Sequence, residues 1–254
     1  MGTLDSMSPV AEALVRAVRQ DLHRHTDHVE ARRLGRRHKG DIPFLGVPRH
    51  TLVRITRDHV DDPALRLPDR QAWQAAVRGL WTGDVTRESR YAAVVLTRHP
   101  RYRALAASPL STNLYRDLIT DTPTRDTADA VAVLSLPLPL NAAPVTEGRV
   151  VRSWAVVGSP WMRRAAILCQ ARRFHRTDPD LLRSSIGANL LERLDIVREA
   201  IPEALTAYLR TCPEDAAADL HATLESWSSQ MPAALAEAID TRLAADERRR
   251  HPRV

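Results

Sequence analysis

Hydrophobic residues recur at three- and four-residue spacing along most of the chain, which is the period of an amphipathic α-helix. Abundant alanine and leucine and only nine glycines favour the same conformation. No segment has the pattern of a convincing β-strand. The pattern predicts helices over residues 9–26, 27–38, 48–59, 70–81, 86–98, 111–121, 124–134, 147–157, 160–175, 179–193, 195–210, 214–228 and 232–249. The sequence therefore predicts an all-α protein.

Prolines mark the predicted breaks between these helices. Residues 40–48 contain two prolines and two glycines, which cannot sustain a helix. Pro137, Pro139 and Pro144 predict the longest irregular segment of the second half of the chain. Pro202 predicts a kink in the helix over 195–210, because proline removes a backbone donor and clashes with the preceding turn.

An internal repeat indicates how the helices are arranged. Four segments share a core of small and aliphatic residues, and their third residues are Ala92, Ala130, Ala165 and Ala200, at intervals of 38, 35 and 35. A period of 35–40 residues with two helices in each period is typical of a HEAT-like α-solenoid of stacked antiparallel helix pairs. We therefore expect one HEAT-like domain over residues 1–254 with a concave basic face, and a flexible tail over 246–254. The residue before each alanine should point to one surface of the solenoid, which places Tyr91, Asp129, Arg164 and Glu199 there.

Length and cysteine content bound the class of protein. A chain of 254 residues buries a full core without disulfides or structural metals. Cys169 and Cys212 lie far apart within predicted helices and are interpreted as two structural thiols in a reducing compartment. The sequence has no run of about 18 apolar residues, and residues 1–20 carry charges where a signal peptide is apolar. These features predict a cytoplasmic protein with no membrane partner.

The distribution of charge is more informative than its total. The chain has 37 basic and 31 acidic residues, and Lys39 is the one lysine. Arginine binds phosphate in a bidentate manner, although a GC-rich genome would produce the same bias. Residues 148–177 contain seven arginines and no carboxylate, whereas residues 213–250 contain eight carboxylates and four arginines. This segregation is typical of an anion-binding face.

Several sequence blocks occur together that are characteristic of one family. They are Lys39-Gly-Asp-Ile-Pro-Phe-Leu-Gly-Val47, Leu80-Trp81, Arg87-Glu88, Tyr91-Ala-Ala93, Trp161-Met-Arg-Arg-Ala-Ala-Ile-Leu168 and Ile196-Val-Arg-Glu-Ala-Ile201. With these blocks, most of residues 28–215 resembles the AlkD-like DNA alkylation repair glycosylases, which are HEAT-like solenoids. The resemblance implies a monomer that binds double-stranded DNA containing alkylated bases and that uses neither a metal nor another cofactor.

The resemblance also implies which residues carry the chemistry. Asp129, in Thr124-Arg-Asp-Thr-Ala-Asp129, takes the place of the family's catalytic aspartate, and Arg164 takes that of the adjacent arginine. In this family an N3- or N7-alkylated purine, already cationic in the DNA, leaves as a neutral base without flipping, and positive charge develops on the sugar, which a carboxylate stabilises. Glu203 could supply a second carboxylate. The residues expected to contact DNA are Arg37, Lys39, Arg125, Arg163, Arg172 and Arg173.

Three family aromatic residues are replaced by charged ones. The tryptophans that hold the deoxyribose fall on Arg125 and Glu203, and the N-terminal tyrosine falls on Arg37. Their loss removes stacking from the groove, and a kink at Pro202 would widen it. A related branch of the family removes bulky minor-groove adenine adducts in antibiotic-producing bacteria. Self-resistance of that kind is therefore a second specificity to consider.

Other interpretations of the same residues stay open. The row Arg125, Asp129, Arg164 and Glu203 would also fit a ladder of structural ion pairs. The chain could then be a non-catalytic HEAT-repeat protein that recognises damaged or branched DNA with a lapsed active site, or a protein-interaction scaffold. The histidines at 23, 25 and 28 lack the i,i+4 spacing of a helical zinc site, which disfavours a metal.

Overall fold

The helical prediction is confirmed by a computed structural model that describes residues 7–38, 41–83, 85–121 and 124–250. The described residues contain no strand, and none of their helices has both the length and the apolarity needed to cross a membrane. The α-helices are α1 Pro9–Arg24, α2 His28–Arg37, α3 Arg49–Asp61, α4 Arg70–Trp81, α5 Arg87–Thr97, α6 Arg103–Ala106, α7 Leu110–Thr120, α8 Arg125–Ala130, α9 Pro137–Ala142, α10 Pro144–Trp154, α11 Pro160–Leu168, α12 Pro179–Gly187, α13 Asp195–Arg198, α14 Ala200–Leu209, α15 Glu214–Trp227 and α16 Ala233–Arg250.

Local capping explains where the first helices begin. The Ser8 hydroxyl accepts a hydrogen bond from the Ala11 amide at 3.4 Å, and Pro9 occupies the first turn of α1. The Asp27 carboxylate accepts from the amides of Val29 and Glu30 at 2.9 and 3.0 Å, which caps α2. These side chains satisfy amides that have no partner within the helix, so both starts follow from sequence.

The chain divides into two compact units, and unit 1 is Met1–Val131. In unit 1, α4 packs against α5 and α1, and α3 packs against α5 and α1. Trp73 and Trp81 are fully buried there, together with Tyr115. Two large side chains of α4 and one of α7 therefore contribute to the buried core of unit 1.

Unit 2 is Ala132–Val254. In this unit α11 packs against α12, α13 and α14, and α14 packs against α16. Its core consists mainly of aliphatic residues, among them Ile167, Leu168, Ile201, Leu205 and Leu235. Residues of α11 and α14 thus form a large part of the core of unit 2.

The alanines of the predicted repeat are buried at three of its four positions. Ala92, Ala165 and Ala200 are at most 1% exposed. Ala130 is half-buried, and Ala128 is the buried alanine of α8. The second segment therefore departs from the predicted pattern, because its alanine at position 130 is less buried than the other three.

The irregular segment predicted around Pro137, Pro139 and Pro144 is wrong. Pro137 begins α9 and Pro144 begins α10, and Pro139 lies in the first turn of α9. A first-turn residue needs no intrahelical amide donor, so these prolines start helices there. The same reason applies to Pro202, which lies in the first turn of α14, and the helix predicted over 195–210 is divided at Glu199.

The segment predicted as a flexible tail begins on a helix. α16 continues to Arg250, and Asp246 is only 7% exposed. The Asp246 carboxylate accepts a hydrogen bond from Arg210 Nε at 2.7 Å, which attaches α16 to the end of α14. Residues 251–254 lie outside the described residues.

Gly46 is required by the close approach of its loop to α2. Its φ is +79°, and a Cβ there would lie 2.3 Å from the Asp27 carbonyl oxygen and 2.7 Å from the Ala31 amide nitrogen. Gly83 has a similar φ of +82°, but the atoms nearest to a Cβ there would be the Arg19 guanidinium nitrogens at 3.9 Å.

We expect Gly83→Ala to lower the free energy of unfolding by about 1–2 kcal/mol, because alanine disfavours positive φ. Gly46→Ala should cost clearly more in chemical denaturation, and equal losses would contradict the steric argument.

Candidate functional site

In unit 1, the first turn of α5 holds the loop that follows α2. The Glu88 carboxylate is buried and accepts hydrogen bonds from the Leu45 and Gly46 amides at 2.9 and 2.8 Å. Arg87 donates from Nε to the Ile42 carbonyl at 3.2 Å, and its guanidinium lies 5.0 Å from the centre of the Phe44 ring. The two charged residues therefore fix the Pro-Phe-Leu-Gly-Val segment quoted above.

The same turn of α5 positions the start of α8. The buried Arg87 guanidinium forms an ion pair with Asp126. The Tyr91 hydroxyl donates a hydrogen bond to the other oxygen of Asp126 at 3.1 Å. Because both carboxylate oxygens of Asp126 are engaged, the first turn of α8 is attached to α5 and the direction of α8 is set.

Asp129 is presented by this attached helix, three residues after Asp126. Its side chain is half-buried. Burial raises the pKa of Tyr91 most, the positive charges of Arg87 and Arg49 oppose this, and the negative charge of Asp129 adds to it. Asp129 is therefore a half-buried carboxylate on a helix that Arg87 and Tyr91 attach to α5 through Asp126.

In unit 2, Arg164 is held at a fixed place on α11. Its side chain is only 1% exposed, and Nη1 donates to the Ile196 carbonyl at 2.7 Å. Nη2 lies 3.8 Å from Glu203 Oε2 on α14, and the Glu203 side chain remains 38% exposed. The structure therefore brings together two of the three residues predicted to be catalytic. Burial suits Arg164 to positioning a carboxylate and leaves little of it for a DNA phosphate.

Three of the cations predicted to contact DNA are exposed. Arg37 lies in the last turn of α2, Arg125 in the first turn of α8 and Arg172 just after α11. Their guanidinium groups reach solvent, as binding to phosphate requires. Lys39, which belongs to the same prediction, lies outside the described residues.

The other two predicted DNA contacts are less exposed and are engaged within the protein. Arg163 is 20% exposed and lies 2.6 Å from the Glu192 carboxylate. Arg173 is 6% exposed and donates to Asn141 Oδ1 at 2.9 Å and to Gln170 Oε1 at 2.6 Å. Burial lowers the pKa of Arg173. The prediction that Arg173 binds DNA does not fit these contacts, which make it part of the fold.

Sequence reasoning missed the roles of Arg87, Glu88 and Asp126. All three stand in the blocks quoted for the resemblance, but nothing in the sequence pairs residues 39 positions apart. The available signal was the placement of two adjacent charges in a helix rich in apolar residues, since buried charges are seldom left without partners.

Comparisons with known proteins identify the family and the fold. A solved structure described as a predicted DNA alkylation repair enzyme from Enterococcus faecalis has a TM-score of 0.70 and 16% sequence identity, over 87% of this chain and 97% of that chain. At this identity the likeness shows the fold, which is α-solenoid-like. A comparison with curated proteins gives no match. The family model for DNA alkylation repair enzymes matches residues 18–239, which is most of the chain. The chain therefore belongs to the DNA alkylation repair enzyme family.

Proposed function

We propose that the protein is a DNA glycosylase that hydrolyses the N-glycosidic bond of N3- or N7-alkylated purines in duplex DNA. The observation that carries the proposal is the placement of Asp129. Its carboxylate is half-buried on a short helix whose start is attached to α5 through Asp126. A pre-organised charge of this kind is what a reaction with a cationic transition state requires.

The reaction needs no proton from the protein to help the leaving group, the alkylated base, to depart. An N3- or N7-alkylated purine carries a positive charge on the base, so the base departs neutral without a general acid. Positive charge then develops on the deoxyribose, and Asp129 stabilises it electrostatically and orients the attacking water. By its resemblance to the family, the proposed enzyme acts on the exposed sugar without flipping the base out of the duplex.

Arg164 and Glu203 supply the second part of the proposed site. Arg164 is a positioning residue, because its guanidinium is fixed by the Ile196 carbonyl and does not reach solvent. Glu203 is the partner of Arg164 that retains solvent exposure, so it offers a second negative charge to the cationic sugar. The proposed enzyme is one HEAT-like domain that acts as a monomer.

The exposed cations give the proposed mode of DNA binding. Arg37, Arg125 and Arg172 neutralise phosphates, so affinity should fall steeply as salt concentration rises. Arg37, Arg125 and Glu203 stand where the resemblance expects aromatic rings. Because charged side chains replace stacking rings at these positions, we include bulky adenine adducts as a proposed substrate class beside small methylated purines.

A non-catalytic DNA-binding protein is the second candidate, and the same three charged residues favour it. Glu203 is in ion-pair distance of Arg164, as in a structural pair between helices. A protein of this kind would bind damaged or branched duplexes in a salt-dependent manner and release no base.

A base-release assay distinguishes the two candidates. The wild-type protein is incubated, without added metal or cofactor, with duplexes that contain N7-methylguanine, N3-methyladenine or a bulky N3-adenine adduct. Free base is measured by chromatography and mass spectrometry, and duplex binding is measured in parallel. We expect release from at least one substrate at a rate above that of the duplex alone. Salt-dependent binding with no release from any of the three would favour the non-catalytic candidate.

A further inference from the structure

The turn after α11, residues 171–177, presents an aromatic ring at an unusual backbone position. Phe174 has a φ of +54°, and among the described residues it is the one non-glycine residue with positive φ. Its side chain is also 53% exposed. A left-handed backbone and an exposed apolar ring both disfavour phenylalanine here. The combination therefore requires a reason outside the stability of the fold.

Hydrogen bonds hold this turn in its strained conformation. Gln170 is only 3% exposed, and its Oε1 accepts from Arg173 Nη1 at 2.6 Å and from the Asp178 amide at 2.7 Å. Its Nε2 donates to the Asp178 carbonyl at 2.9 Å. Arg173 also donates to Asn141 on α9 at 2.9 Å. The buried Gln170 thus joins both ends of the turn, and the ring of Phe174 is presented from a fixed base.

The surroundings of Phe174 are cationic. Arg172 and Arg176 are both exposed and lie within two residues of it. The chain has no carboxylate between Gly148 and Thr177, and Asp178 is engaged in capping α12 through the Asp180 and Leu181 amides. A single aromatic ring among cations suits nucleic acid, in which flat bases alternate with phosphates. A protein interface of ordinary size would need a larger apolar surface.

We propose that this turn is a second DNA-contact element, in which Phe174 inserts as a wedge at a base step and Arg172 and Arg176 bind the flanking phosphates. The proposal rests on the proposed function in taking duplex DNA as the partner. Insertion of an apolar side chain partly unstacks a base step and bends the duplex. A damaged base makes unstacking easier, so the wedge would favour duplexes that contain a lesion.

The test separates the ring of Phe174 from the stability of the turn. Phe174→Gly removes the ring and also relieves the strain, because glycine adopts positive φ freely. Phe174→Trp keeps an aromatic ring. Val145→Ala is the matched control, since Val145 is 68% exposed on α10 and has no arginine within three residues. Duplex affinity is measured by fluorescence anisotropy, unstacking by the fluorescence of 2-aminopurine within the duplex, and stability by thermal denaturation.

We expect Phe174→Gly to keep or raise the melting temperature while it weakens duplex binding about tenfold, the loss that follows removal of one stacking ring. The rise in 2-aminopurine fluorescence on binding should also disappear. Phe174→Trp and Val145→Ala should stay within about twofold of wild type and retain the fluorescence rise.

Wild-type affinity and fluorescence in Phe174→Gly would overturn the wedge. So would an equal loss in Val145→Ala, or a glycine variant that changes the oligomeric mass but not DNA binding, which would indicate a protein interface. Base release by the wild-type protein is measured on the same duplexes. Absent release with an intact wedge signal contradicts the glycosylase proposal alone, and release with a wild-type-like glycine variant contradicts the wedge alone.

Discussion

Asp129→Asn is expected to slow release of N3- or N7-alkylated purines from duplex DNA by about 100- to 1,000-fold, while affinity for the duplex stays within about twofold. Asparagine keeps the size of the side chain and removes its negative charge, so the developing charge on the sugar loses its counterion. Removal of one pre-organised electrostatic group in an active site lowers the rate by about 100- to 1,000-fold. Single-turnover release measures this rate, and anisotropy measures the affinity.

The control for this substitution is a carboxylate of unit 1 outside the proposed site. Asp117 on α7 is partly exposed and lies 2.8 Å from Arg78, so Asp117→Asn also removes one negative charge from a paired side chain. Asp117→Asn should release bases at the wild-type rate. If Asp129→Asn releases bases at the wild-type rate, or if Asp117→Asn slows release equally, Asp129 is not the catalytic carboxylate.

Tyr91 and Arg87 show what the sequence could and could not predict about the site. Both residues stand in the blocks that carry the resemblance, but both contact Asp126, which the repeat does not include. In unit 2, Arg164 was expected to point to one surface of the solenoid, whereas its side chain is only 1% exposed and lies 3.8 Å from Glu203.

The DNA-contact predictions show what a linear pattern omits. Arg163 and Arg173 were grouped with exposed arginines because they share one basic segment. Their partners Glu192 and Asn141 lie 29 and 32 residues away in sequence, where neither spacing nor composition identifies them. Burial of a guanidinium depends on such distant partners, so a count of arginines overstates the surface available to phosphate.

The backbone conformation of single residues also could not be predicted from the sequence. Residues 160–175 have a helical pattern, yet α11 ends at Leu168 and Phe174 has positive φ. The turn depends on the hydrogen bonds of the buried Gln170 to Arg173 and Asp178, which only the packed structure provides. Local propensity favours helix here, and tertiary contacts override it.

Glu88→Ala is expected to destabilise unit 1 more than any exposed substitution, although Glu88 takes no part in the proposed chemistry. Its buried carboxylate accepts from the Leu45 and Gly46 amides, and alanine would leave both donors without this acceptor. Hydrogen bonds to a charged group contribute about 1.5–3 kcal/mol each, so the free energy of unfolding should fall by roughly 3–6 kcal/mol.

Two further variants test whether the loss of stability comes from the buried carboxylate of Glu88. Glu88→Gln keeps one acceptor oxygen for the two amides and should lose about half as much stability in chemical denaturation. Glu12→Ala removes a carboxylate of an exposed pair with Arg16 and should change stability by less than about 1 kcal/mol. Because α5 also positions α8 through Arg87 and Asp126, loosening the 42–46 loop should lower base release in step with the loss of folded protein. Wild-type stability in Glu88→Ala would show that the loop does not depend on the carboxylate.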